Sequence, residues 1–337
     1  MDPYDPYPPV RRRRRGRERY DLEFDREPEG FGRLAHPFAP TPVPGGPHDP
    51  DSGPAGLLGD PLDDEPIRRP RPTADTGLPD EPASSTWPDA VHGPEPVPRW
   101  VVTDLTAVDI ELGVLKTGKE ADVHLVERAV PGGGSCLLAA KRYRTSDHRL
   151  FHRDAGYLEG RRVRRSRENR AMARRTAFGR DLLAGQWAGA EFAALSRLWE
   201  LGRGGGVRVP YPVQWRGTEV MLEFIGGPDG AAAPRLAQLR PAGRELAELW
   251  EDCLDVLITL AAEGLAHGDL SPYNLLVHEG RLVLIDLPQV VDVVANPRGP
   301  EFLARDVSVM VTWFAARGLT MDAGTVTDDV MRAARLR

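Results

Sequence analysis

The sequence predicts an α+β protein in two lobes: a small β-rich lobe with one main helix, then a mostly helical lobe, preceded by a disordered leader. Three observations carry this. Apolar strand patterns crowd residues 113–141 and 218–225, and the strongest helical periodicity comes later, from Arg244 to Glu263. The pair Gly226-Gly227 stands between the two regions as a hinge. The chain then divides into a leader 1–98, a first lobe 99–226 and a second lobe 227–337.

Residues 1–98 are crowded with Pro, Gly, Asp and Arg and lack a periodic apolar pattern, so they bury too little surface to offset chain entropy. The net charge of -6 conceals a segregation of sign. Arg11 to Arg15, with Arg17 and Arg19, form one basic block, and Arg161 to Arg180 form another. Such blocks suit the phosphates of RNA or an acidic partner, and equally a solvated tract. Cys136 and Cys253 are the only cysteines, which indicates neither a disulfide framework nor a zinc site and fits a reducing compartment. Tyr20-Asp21-Leu22-Glu23 follows the first arginine run where a secretory or twin-arginine signal would need an apolar segment. No apolar run approaches membrane-spanning length, so the expectation is a cytoplasmic protein without membrane contact.

Along the folded part, Trp100 to Leu112 is expected to form a short leading helix. Gly113 to Val126 alternates around a polar turn, Thr117-Gly118-Lys119-Glu120, as two strands joined by a phosphate-facing loop would. Leu137 to Lys141 is an apolar strand ending in a lysine. Thr145 to Gly185 is dense in arginine, without an apolar face, and long for a loop. Trp187 to Leu201 repeats Trp187, Ala190, Ala194, Leu198 and Leu201 at helical spacing, with Glu191 bordering the stripe. Val207 to Trp215 is punctuated by proline, and Thr218 to Ile225 is a buried strand. The helix Arg244 to Glu263 has the core stripe Leu246, Leu249, Trp250, Cys253, Leu257 and Leu260, and Gly264 ends it.

That helix leads into His267-Gly268-Asp269-Leu270-Ser271-Pro272-Tyr273-Asn274, followed by the strand Arg281 to Ile285 and then Asp286. Phosphoryl transfer needs a carboxylate at the attacking group, and an amide oxygen with a second carboxylate to hold magnesium against nucleotide phosphates. Asp269 suits the first role, Asn274 and Asp286 the second, with a hairpin through Glu279-Gly280 returning Asp286 to the others. His267 is expected to brace the loop, because Asp269 already supplies the carboxylate. Lys141 would reach the phosphates, held by Glu191; strand lysine, helix glutamate and catalytic loop follow in the order of a kinase. In that arrangement the backbone of Glu223 and Ile225 meets the adenine edge, with Met221 behind it.

These residues resemble the Rio family of atypical protein kinases and ATPases over roughly Trp100 to Gly318. The resemblance rests on Lys116-Thr117-Gly118-Lys119-Glu120-Ala121-Asp122-Val123, on Met221 to Gly226 with Ala233-Pro234-Arg235-Leu236, and on His267 to Val277. Ile285-Asp286-Leu287-Pro288-Gln289 and Pro300 to Val307 complete it, and the arginine-rich insert 145–185, with Gly156-Tyr157, is similar to that family's flexible loop. It implies a two-lobed protein kinase-like fold and a non-specific serine/threonine kinase using ATP with Mg2+, or Mn2+ in its place. By position it assigns Lys141 paired with Glu191, Asp269 as catalytic carboxylate, Asn274 and Asp286 as metal ligands, and Thr117 and Lys119 to the phosphate loop. It makes Asp306 a brace for the catalytic loop, and Asp286 a candidate phosphate acceptor in an ATPase cycle through an acyl-phosphate. The acceptor would be a protein Ser/Thr hydroxyl or the chain itself, with RNA or a ribosomal particle as partner through the arginine tracts. Leu287-Pro288-Gln289 replaces the Phe-Gly of ordinary kinases, no Ala-Pro-Glu element follows, and Asp286 to Pro300 is too short for an activation segment.

Two other readings use the same residues. A small-molecule phosphotransferase of the aminoglycoside or choline type also has His-Gly-Asp with Asn five residues after Asp, though the loop at Lys116 and Glu301 to Asp306 favour the Rio pattern. A nucleotide-switched binding module would use ATP occupancy to control association with an RNA-containing particle.

Overall fold

The computed structural model describes residues 83–144, 177–203 and 205–336. Both arginine tracts, apart from residues 177–180, and most of the insert therefore lie outside the described residues.

The first lobe is a seven-stranded antiparallel sheet in the order β1-β3-β4-β5-β7-β6-β2. Its strands are β1 (Ala83–Ser84), β2 (Val91–His92), β3 (Val108–Thr117), β4 (Ala121–Ala129), β5 (Ser135–Tyr143), β6 (Pro212–Arg216) and β7 (Glu219–Glu223). The pairing register sorts the side chains. Val123, Lys141 and Val220 lie opposite one another, as do Leu125, Ala139 and Leu222, so these share one face. Ala140 lies opposite His124 and Met221, one residue along and hence on the other face. Against the Lys141 face packs helix α1 (Ala177–Gly202), which buries Ala184, Trp187, Ala188 and Phe192 against Ala121, Tyr143 and Val220. The buried stripe of α1 continues through Leu195, Leu198 and Trp199, so it is rotated from the predicted one. Glu191 falls at its centre and is 1% exposed, whereas Ala190 is only partly buried.

The opposite face is covered by a segment that composition assigns to the leader. β1 pairs with β3 and β2 with β6. Trp87 is buried, with the Arg128 guanidinium 5.9 Å from its ring centre. Arg128 is fully buried, donates to both oxygens of Asp109 at 2.7 and 3.0 Å, and reaches the Met221 sulfur at 3.2 Å. Gln214 bonds Thr86 at 2.7 Å. Residues 83–98 are thus part of the folded chain, because single anchors such as Trp87 need no periodic pattern when a sheet already offers a face. The helix expected over Trp100 to Leu112 is also absent. Asp104 accepts the N–H of Thr106 at 2.8 Å, a local turn that competes with helical bonding, and the chain enters β3 at Val108.

The second lobe is built on α2 (Gly243–Ala262), α3 (Gly299–Ala315) and α4 (Ala323–Ala333), with the short pair β8 (Leu265–Ala266) and β11 (Val291–Asp292) and the hairpin β9 (Leu275–His278) and β10 (Arg281–Leu284). Every residue of the predicted α2 stripe is buried. The Trp250 and Phe314 rings meet edge-to-face at 5.2 Å, joining α2 to α3. Glu279 and Gly280 both have positive φ, 50° and 70°, as a two-residue type I′ hairpin turn requires. The buried carboxylate of Asp252 on α2 takes the Leu282 N–H at 3.2 Å and pairs with Arg281 at 2.6 Å. That anchor fixes the hairpin, and with it the loop that carries Asp286.

Candidate active site

Three elements converge on one cation. Lys141 Nζ lies 2.7 Å from Glu191 Oε1 on α1 and 2.6 Å from Asp286 Oδ1 in the loop after β10. Glu191 is a node rather than a simple partner: its Oε1 also accepts the Leu287 N–H at 3.2 Å, and its Oε2 accepts the Tyr143 hydroxyl at 2.5 Å. Burial, with the negative charges of Glu191 and Asp286 beside it, pushes the Tyr143 phenol well above its ordinary range, so it remains a donor. Burial disfavours the Lys141 cation, but the charges of Asp286 and Glu191 outweigh this and hold it protonated. Burial likewise opposes ionisation of Asp286, and the charge and hydrogen bond of Lys141 reverse that, bringing its carboxyl down to about 2. Asp286 adopts φ 66°, a left-handed backbone that costs an Asp less than most residues, and its side chain is 48% exposed.

The loop before it is held from beneath. Asp306 on α3 is buried, and its two oxygens accept the N–H groups of Gly268 and Leu270 at 2.9 and 3.0 Å. Burial raises its carboxyl above the usual range, against those N–H bonds. Gly268 has φ 86°, the conformation that lets its N–H turn toward Asp306. His267 is buried with Nε2 3.2 Å from the Ile285 carbonyl and Nδ1 3.4 Å from the Asp269 N–H, so it ties the loop carrying Asp269 to the segment before Asp286. Asn274 donates from Nδ2 to the Asp269 carbonyl at 3.0 Å, which turns its Oδ1 the other way, and its own carbonyl accepts the Ile285 N–H at 3.0 Å. Asp269 is 41% exposed at the mouth of the site, 3.5 Å from Arg305.

The chain fits a divalent cation. An amide oxygen oriented by its own hydrogen bond and an ionised, half-exposed carboxylate are hard donors of the kind magnesium takes, together with substrate phosphates. Among the described residues there is no cluster of three or more His, Cys, Asp or Glu side chains suited to hold a metal alone.

The turn expected to face phosphates lies between β3 and β4, and the segment expected to meet adenine follows β7. Gly118, Lys119 and Glu120 form the turn between β3 and β4, closed by the Gly118 N–H on the Ala121 carbonyl at 3.0 Å, and the Glu120 carbonyl takes the Arg144 N–H at 2.9 Å. Thr117, however, lies opposite Asp122, while Lys116 lies opposite Val123. The pleat therefore puts Lys116, not Thr117, on the Lys141 face, where its charge also acts on Asp286. In the hinge, Glu223 has its N–H on the Tyr211 carbonyl at 2.9 Å and its carboxylate on the Tyr211 N–H at 3.0 Å. The Ile225 carbonyl is taken by the Ala233 N–H at 2.9 Å, which leaves its own N–H as the group it can offer a ligand. Met221 faces Arg128, so the side chain beside the cleft is Leu222. Leu276 packs beside Ile225 from the second lobe. Period-two alternation identifies Tyr143 and Leu222 from the sequence once Lys141 is placed; Leu276 and Arg305 have no such signal.

The chain is a two-lobed, kinase-like α+β protein whose strand lysine bridges a helix glutamate and a loop aspartate. Residues 137–326, more than half of the chain, match the RIO domain. The RIO-type serine/threonine-protein kinase Rio1 of Haloferax volcanii is 34% identical over 226 residues, 66% of this chain and 69% of that protein. The serine/threonine-protein kinases rio1 of Dictyostelium discoideum and RIO1 of Saccharomyces cerevisiae are 32% and 26% identical over 60% and 67% of this chain. The matches span 32% and 47% of those two proteins, less than half of each. The chain belongs to the RIO family of atypical kinases.

Proposed function

We propose that the protein transfers the γ-phosphoryl group of ATP, in the presence of Mg2+ or Mn2+, to a serine or threonine hydroxyl of a protein acceptor or of its own chain. The observation that carries this is the bridge from Lys141 to Glu191 and Asp286 at 2.7 and 2.6 Å, which ties the β-rich lobe, its helix and the metal-side loop into one electrostatic unit. Because phosphoryl transfer asks little covalent chemistry of the protein, positioning and charge neutralisation carry the rate. Lys141 and the turn 118–120 would hold the phosphates, the Ile225 N–H with Glu223 the adenine, and Asn274 Oδ1 and Asp286 the cation. A bound divalent cation would neutralise charge on the β- and γ-phosphates. Asp269 would accept the proton of the attacking hydroxyl.

The exposed, ionised carboxylate of Asp286 also supports a second outcome, attack on the γ-phosphorus by Asp286 itself and later hydrolysis of the acyl-phosphate, which is net ATPase activity. Serine/threonine specificity is supported by the names of the relatives. Association with RNA or a ribosomal particle rests on the arginine tracts alone. No helix among the described residues is long and apolar enough to cross a membrane.

The test is the fate of γ-labelled ATP. Protein-bound label stable to acid and labile to base identifies a Ser/Thr ester, label lost in both hot acid and base and released by hydroxylamine an acyl-phosphate at Asp286, and free phosphate without bound label a hydrolase. Label that stays on ATP under all conditions overturns the proposal.

A further inference from the structure

The catalytic loop from Asp269 to Asn274 reads Asp-Leu-Ser-Pro-Tyr-Asn and contains no cation. Lys141 is already shared between two carboxylates on the metal side. At the acceptor side, the positive charge beside Asp269 comes from another element: Arg305 on α3, whose guanidinium lies 3.5 Å from Asp269 Oδ1. We propose that Arg305 is a catalytic residue that contacts the transferring phosphoryl group while remaining beside Asp269, a role that rests on the phosphotransferase reading above.

The placement is set by the neighbouring residue. Asp306 is buried and grips the N–H groups of Gly268 and Leu270, the residues on either side of Asp269, so the first turns of α3 are registered against the loop. Arg305 is the next residue back, and its position relative to Asp269 follows from that grip. The pair is at the surface: the side chains of Arg305 and Asp269 are 45% and 41% exposed, at the mouth where an acceptor hydroxyl would enter. An exposed pair at this distance contributes little to stability, so stability gives no strong reason to hold the charge there.

The chemistry does give one. As the acceptor oxygen bonds to the γ-phosphorus, the bond from that phosphorus to the oxygen of ADP breaks, ADP leaves with the bonding electrons, and the acceptor proton passes to Asp269. The transferring group carries negative charge on three equatorial oxygens and must pass close to the carboxylate that takes the proton. A planar guanidinium has five N–H donors and can serve an Asp269 oxygen and a phosphoryl oxygen together, relieving that repulsion. A lysine can do so only as a point charge.

Arg305→Ala and Arg305→Lys are compared with the wild-type full chain, using γ-labelled ATP turnover, magnesium-ATP affinity by calorimetry and thermal melting. The expected result is a fall in kcat of about 10²–10³-fold for alanine, partial recovery with lysine, and nucleotide affinity and melting temperature close to wild type. A kcat for alanine within about threefold of wild type overturns the role while leaving the kinase reading intact. A loss of kcat in proportion to a loss of nucleotide affinity or melting temperature, in both variants, makes Arg305 a structural residue and also overturns it. Absence of turnover in the wild-type chain removes the kinase reading and the inference with it.

Discussion

Glu191 is the residue whose loss should be felt most widely, and its environment allows the size to be worked out. Its carboxylate accepts three hydrogen bonds, from Lys141, Tyr143 and the Leu287 N–H, and its side chain is almost wholly buried. Glu191→Ala removes the acceptor of all three. An unsatisfied buried donor costs about 1–3 kcal/mol, and breaking a buried ion pair by removing one partner about 3–5 kcal/mol. These are not additive here, because Lys141 keeps Asp286 at 2.6 Å and water enters the space left by the side chain. The expected loss of stability is therefore about 3–5 kcal/mol. Glu191→Gln retains an acceptor for Lys141 and Leu287, and its amide can donate to the Tyr143 oxygen, so the loss is that of charge assistance, about 1–2 kcal/mol. Urea unfolding at neutral pH measures both, with ATP turnover in parallel; turnover should fall in both variants because Lys141 loses its anionic anchor. Alanine and glutamine variants equal in stability, or both within about 0.5 kcal/mol of wild type, would refute the account of Glu191 as the node of the site.

Two further outcomes follow from other parts of the molecule. Asp286 has its carboxyl lowered from 3.8 to about 2, so its contribution to stability is complete above the unfolded value and is lost as pH falls through the folded one. The stability gap between wild type and Asp286→Asn should thus narrow from pH 5 toward pH 2, modestly because the group is half exposed, and a gap that stays constant contradicts the pairing with Lys141. Trp87→Ala should cost about 3–5 kcal/mol in denaturant unfolding, as a buried aromatic does; an unchanged midpoint would mean that residues 83–98 are not part of the core.

Elements with a strong period were legible in the sequence. The α2 stripe is buried at each named position, and Glu279-Gly280 sits at the turn that brings Asp286 back, because both depend on local pattern and turn chemistry. The pairing of Lys141 with Glu191 was legible as an order along the chain, and the structure places the two 2.7 Å apart. What was not legible depends on surfaces that other segments create. Trp87 belongs to no periodic apolar pattern in sequence, and its site exists only once β4, β5 and β7 have formed a face with Arg128 and Met221 on it. Composition could not find residues 83–98 for that reason. Of the strand Val108–Thr117 only residues 108–112 were missed, following the short polar turn at Asp104, and the exchange of Thr117 for Lys116 and of Met221 for Leu222 came from register, where a shift of one residue changes the face. The place of Arg305 beside Asp269 required knowledge of what lies across the loop.

In the proposed reaction Asp269, held by His267, Asn274 and the grip of Asp306, is the carboxylate of the phosphoryl-transfer site. The most direct measurement compares Asp269→Asn with wild type in ATP turnover and, on the same samples, in magnesium-ATP binding by calorimetry. Turnover of the variant should fall by about 10²–10⁴-fold with nucleotide affinity nearly unchanged. Undiminished turnover in the variant would contradict it.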